Sequence, residues 1–158
     1  MPTVPLATLA AHAFAALLIA CVPISAWLWL RRRFDLAWRD IFVGAAVFGV
    51  FALVLERLLH VYLLQLNPVT AHWLRTPALF VIYGALMAGL FEEVGRWLGL
   101  RFLTRKPGDA ATPVAYALGH AGIEAWLVGT ASQAQMVMFG IAANRGDLDT
   151  RLAASGAE

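Results

Sequence analysis

Phe91-Glu92-Glu93-Val94-Gly95-Arg96 lies inside an apolar run that extends from Pro77 to Leu103, and its reading decides what kind of protein this is. About 20 apolar residues suffice for a helix to cross the hydrocarbon core of a bilayer. A charged side chain at the centre of such a helix costs ~3 kcal/mol on insertion scales. Two carboxylates and a guanidinium within six positions therefore need a reason. On a helix Arg96 is four residues from Glu92 and three from Glu93, so the three face roughly one way. Gly119-His120-Ala121-Gly122-Ile123-Glu124 repeats the arrangement, with Glu124 four residues after His120. Ala85, Ala88, Gly89 and Gly99 extend the first stripe, and Ala117 and Ala121 the second. Small residues let helices approach closely enough for carboxylates and imidazole to meet.

The whole chain agrees with this reading. Of its 158 residues 61% are hydrophobic and only 14% charged, with a mean hydropathy of +0.71. A soluble domain would carry about a quarter charged residues. The fold class expected is all-α, a polytopic membrane helix bundle of about four transmembrane helices. These helices cover about 4–30, 41–64, 77–103 and 113–143, in a domain over 1–143, with a polar tail over 144–158. The net charge of +2 and pI near 9.1 do not point to nucleic acid, because the basic residues cluster at segment ends. The single Cys21 has no partner for an intrachain disulfide. No Lys or Arg precedes the first segment, whose apolar run is too long for a cleaved signal, so it reads as a retained anchor.

Topology follows from the basic residues. Arg31, Arg32, Arg33, Arg39, Arg101, Arg105 and Lys106 flank one side, and Arg75, Arg145 and Arg151 the other. Seven against three places the N-terminus outside and the loops after segments one and three in the cytoplasm. Pro107-Gly108-Asp109 forms the turn of the second of those loops. At ~1.5 Å per residue, both patches then lie roughly 10–17 Å in from the cytoplasmic ends of their segments. Segment two carries a further pair, Glu56 and His60, at i,i+4. This pair reads either as a metal-ligand spacing or as a Glu–His hydrogen bond. Its depth lets Glu56 just join the site, while His60 falls too far along.

Two chemistries suit the patches. Glu and His can hold a divalent ion such as zinc that acidifies a bound water, with one Glu as general base. Alternatively, one Glu of the adjacent pair keeps a proton while another activates water. Arg96 would fix the ionised carboxylate or stabilise an oxyanion. The metal version draws on His120 with Glu92 or Glu93, and on Glu124 or Glu56, and has only one nitrogen ligand. The structural alternative is a buried ion pair at Glu92/Glu93/Arg96 and an intrahelical hydrogen bond at His120/Glu124.

Phe91-Glu92-Glu93-Val94-Gly95-Arg96-Trp97, then a basic loop, then Tyr116-Ala117-Leu118-Gly119-His120-Ala121-Gly122-Ile123-Glu124-Ala125 resembles the YhfC family of intramembrane metalloproteases. That family is related to the PrsW and type II CAAX prenyl protease group. The likeness runs weakly back through Glu56 and His60 and forward to Asn144-Arg145-Gly146. It implies a hydrolase of a bacterial plasma membrane that cleaves a membrane protein or peptide. Glu92, Glu93, Arg96, His120 and Glu124 would be catalytic, and Glu93, His120 and Glu124 metal-ligating, with Glu56 a further candidate. Family members are longer, with additional helices and another His motif, so the chain corresponds to the N-terminal part of a longer fold. A partner chain or a second copy would supply the missing helices. Ala121 stands where Gly is more usual. The competing functional class is a non-enzymatic scaffold, a proton- or ion-relay subunit, or an inactive shortened homologue.

Overall fold

In a bilayer every backbone N–H and C=O must find its partner within the chain, so apolar spans are driven into helices. The computed structural model describes residues 3–104, 106 and 108–155, and among them there are helices and no strands. The expectations for Arg105, for Pro107 in the turn and for the last three tail residues lie outside the described residues. Among the described residues three helices are long and apolar enough to cross a membrane: α1 (Leu6–Leu30), α2 (Trp38–Leu66) and α4 (Pro77–Leu103). The chain is an all-α membrane helix bundle. The fourth expected segment is helical, as α5 (Ala111–Glu124), a π-helical turn (Ala125–Thr130) and α6 (Ala131–Arg145), but it is not among those three.

Two helices appear where loop or tail was expected. The first, α3 (Pro68–Trp73), starts because Pro68 suits a first turn and the Asn67 side chain caps it, accepting from the N–H groups of Val69 (3.0 Å) and Thr70 (3.3 Å). His72, expected in a loop, lies in this helix. The second, α7 (Leu148–Ser155), follows Gly146, whose φ of 81° closes α6 in the left-handed conformation that glycine adopts without strain.

The chain divides into two compact units. One comprises 1–29 and 124–158, and there α1 and α6 run antiparallel. The Asn144 side chain clasps the backbone of Val4 through two hydrogen bonds, Leu9 lies over Gly140, and His12 Nδ1 is 2.7 Å from Gln133 Oε1. The Trp126 indole N–H donates to the Ala20 carbonyl at 3.0 Å.

The other unit, 30–123, holds α2 to α5. Val47 meets Gly99, Phe51 meets Gly95, and His60 meets Tyr83. These contacts ascend α2 as they descend α4, so the two helices pair antiparallel. Against α5 the approach is closer still. A methyl group on Gly44 would strike the carbonyl of Tyr116, and one on Gly119 the carbonyl of Ile41. Most of the buried residues of the unit lie on these two helices: Asp40, Gly44, Val47 and Phe48 from α2, and Thr112, Ala115, Tyr116, Gly119, His120 and Gly122 from α5.

Candidate functional site

On α4 the first patch forms as its spacing predicts. Arg96 pairs with Glu93 at 2.5 Å and with Glu92 at 3.6 Å. The two carboxylates are adjacent, so they point ~100° apart around the helix. The Glu92 side chain is 31% exposed and that of Glu93 70%. Glu92 thus shares the face of Gly95 and Gly99, which packs against α2, and Glu93 lies on the open side.

The small residues that let α4 approach its neighbours are Gly95 and Gly99. A methyl group on Gly95 would sit 2.7 Å from Phe51 Cγ, and one on Gly99 2.7 Å from the Tyr116 hydroxyl. Ala85 and Gly89, expected on the contact stripe, are exposed. On α5 the close contact is likewise made by Gly119, and Ala117 and Ala121 are exposed.

His120 is 5% exposed. Its ring meets the edge of Phe48 at 5.3 Å and stacks on Tyr116 at 5.9 Å with an interplanar angle of 26°. Tyr116 is 1% exposed, and its hydroxyl has no hydrogen-bond partner among the described residues. That hydroxyl abuts α4 at Gly99, one turn beyond Arg96. Tyr116 therefore links the two patches. Glu124, the last residue of α5, is half-buried and belongs to the other compact unit.

Glu56 and His60 take the hydrogen-bonded reading. Nε2 of His60 lies 3.2 Å from Glu56 Oε1, and Nδ1 lies 2.6 Å from the Tyr83 hydroxyl. The two ring nitrogens face different partners, so this arrangement does not chelate one ion. The same test applies to Glu93, His120 and Glu124 as metal ligands. Among the described residues no group of three or more His, Cys, Asp or Glu side chains is gathered closely enough to hold a metal ion. The donor set within these residues does not fit a resident metal.

The sequence reading passed over Asp40, Tyr83 and Tyr116. Asp40 is 2% exposed. The signal was its register, four residues before Gly44 and eight before Phe48 on one face of α2. Tyr116 carried the same kind of signal, one turn before His120.

A family model described as YhfC intramembrane metalloprotease matches residues 18–158. A relative named "Uncharacterized membrane protein YhfC", from Bacillus subtilis (strain 168), is 37% identical over 131 residues, covering 83% of this chain and 51% of its own. The chain thus spans about half the length of the curated relative it matches. No solved structure matches it. The chain belongs to the YhfC intramembrane metalloprotease family.

Proposed function

We propose that the chain provides the Glu- and His-bearing part of an intramembrane peptidase. One observation carries this reading: α4 and α5 both pack on α2, so the carboxylate–guanidinium cluster of α4 and the buried imidazole of α5 belong to one compact unit. In this reading Glu92 or Glu93 takes a proton from water, and the hydroxide bonds to the peptide carbonyl carbon. Arg96 holds the developing oxyanion, and the Glu proton moves on to His120 as the C–N bond breaks. His120 passes the proton to the leaving amine, and Glu124 extends the second motif. A metal, where the family's chemistry requires one, would need ligands beyond those the described residues gather. The substrate would be a peptide bond of a membrane protein, reached from the lipid. The N-terminus would face outward in a bacterial plasma membrane, and further helices would come from a partner chain or a second copy.

The test is cleavage of a panel of quenched-fluorescent transmembrane peptides by the chain reconstituted in liposomes. Glu93→Gln and His120→Ala should abolish cleavage with insertion unchanged. The amide keeps the shape of Glu93 but cannot act as a base. Cleavage retained in His120→Ala overturns the assignment. The lack of a three-ligand cluster among the described residues favours one second reading, a relay subunit that moves protons without hydrolysis. Wild-type protein that cleaves no peptide in the panel would favour it.

A further inference from the structure

Outside the patches, three side chains of one unit are joined in a line. Glu56 and His60 stand one turn apart on α2, and Tyr83 reaches them from α4. The Glu56 and His60 side chains are only 13% and 31% exposed, and the His60 and Tyr83 rings meet at 5.3 Å. With Glu56 ionised and His60 neutral, one pattern satisfies every group. Nε2–H donates to the Glu56 carboxylate, and the Tyr83 O–H donates to Nδ1. This is the order of a nucleophilic triad: a hydroxyl on a base, and the base held in one tautomer by a carboxylate.

We propose that Glu56, His60 and Tyr83 form an acid–base triad that activates the Tyr83 phenol as a site of covalent modification by acyl- or sulfonyl-type electrophiles. In the reaction the phenol oxygen bonds to the acyl carbon or sulfonyl sulfur as the O–H proton passes to Nδ1 of His60. The leaving group departs with its bonding pair and takes that proton from the imidazolium. Glu56 acts as a positioning residue: it fixes the tautomer and stabilises the transient imidazolium. The triad uses none of Glu92, Glu93, Arg96, His120 or Glu124, so it stands whether or not those residues hydrolyse peptides.

The chain supplies its own reference, because its other tyrosines are Tyr62 and Tyr116. Tyr62 is 52% exposed, and Tyr116 is buried. The full chain in detergent is treated with a small apolar sulfonyl-triazole reagent, and labelling of each tyrosine is followed by peptide mass spectrometry. General-base assistance contributes ~10²-fold or more, so Tyr83 should react at least ~10-fold faster than Tyr62 despite its lower exposure. The advantage should vanish in protein unfolded with dodecyl sulfate. His60→Gln and Glu56→Gln, which keep hydrogen-bonding capacity, should lower the Tyr83 rate towards that of Tyr62 and leave Tyr62 unchanged. A Tyr83 rate no greater than that of Tyr62 in folded wild-type protein overturns the proposal, even if the variants fail to fold. So does an undiminished Tyr83 rate in folded His60→Gln, which would reduce the line to an interhelical clamp.

Discussion

Gly119 lies against the backbone carbonyl of Ile41 with no room between them for a methyl group. Gly44 stands in the same relation to the carbonyl of Tyr116. Two helix backbones in direct contact seat His120 beside Phe48. Gly119→Ala and Gly44→Ala must separate the helices, and overpacking of this kind costs ~1–3 kcal/mol. Both variants should melt at lower temperature in detergent. Gly89→Ala is the control, since an added methyl there meets nothing within 4 Å. It should be neutral or stabilising, as alanine is the better helix former by up to ~1 kcal/mol.

Arg96 is served by two carboxylates, so losing one leaves it paired. Glu92→Gln and Glu93→Gln should each destabilise by less than the ~3–5 kcal/mol that leaving a buried charge wholly unpaired costs, because one carboxylate remains. The double variant should lose more than the sum of the two, with a coupling of ~0.5–3 kcal/mol. Thermal unfolding of the four proteins measures that coupling, and strict additivity would contradict the shared pairing.

Tyr116 buries a hydroxyl without a partner among the described residues, which costs ~1–3 kcal/mol in a folded protein. Tyr116→Phe keeps the ring on His120 and removes that cost. Its melting temperature should hold or rise. If the hydroxyl serves the proposed peptidase site, cleavage should fall in the same variant. A loss of stability would show that the hydroxyl is satisfied in the membrane.

Orientation is testable by single cysteines at Arg32 and Lys106, after Cys21, which is exposed, has been replaced by Ser. Both should resist an impermeant maleimide added outside intact cells and react once the membrane is opened. Labelling from outside would reverse the topology drawn from the basic residues.

The fold class was legible because it rests on the length and apolarity of whole segments, which a bilayer leaves no alternative but to make helical. The fourth segment was harder to judge. His120, Glu124, Ser132, Gln133 and Gln135 dilute its apolar character, and two of these have a structural use in that His12 meets Gln133 and His120 fills the crossing with α2. The charged patches were visible as violations of apolar context. Their orientation was not. Neighbours such as Glu92 and Glu93 differ by ~100° around the helix, and only the position of α2 decides which is packed. Of the contact glycines Gly99 was read and Gly95 was not, for a related reason: a small residue permits close approach without demanding it. Gly89 and Gly95 look alike in the sequence, but only Gly95 has Phe51 over it. Asp40 escaped notice because, next to Arg39, it reads as part of a polar boundary rather than of a buried face.

Between Phe48, which touches His120, and His60, which touches Tyr83, α2 winds as a π-helix over Gly49–Glu56. A π turn accommodates one residue more than the α turn it replaces. The stretch therefore works as a phase adjuster, setting the angle between what the first half of the helix presents and what the second half presents. Deleting one residue there lets the wide turns tighten to α geometry, so the helix beyond keeps nearly the facing it had. Phe48 would keep its place against the imidazole, and His60 its place against the phenol. Single-residue deletions in this stretch can thus be absorbed with both contacts kept, a tolerance absent from a plain α-helix, where the loss of one residue turns everything beyond by ~100°.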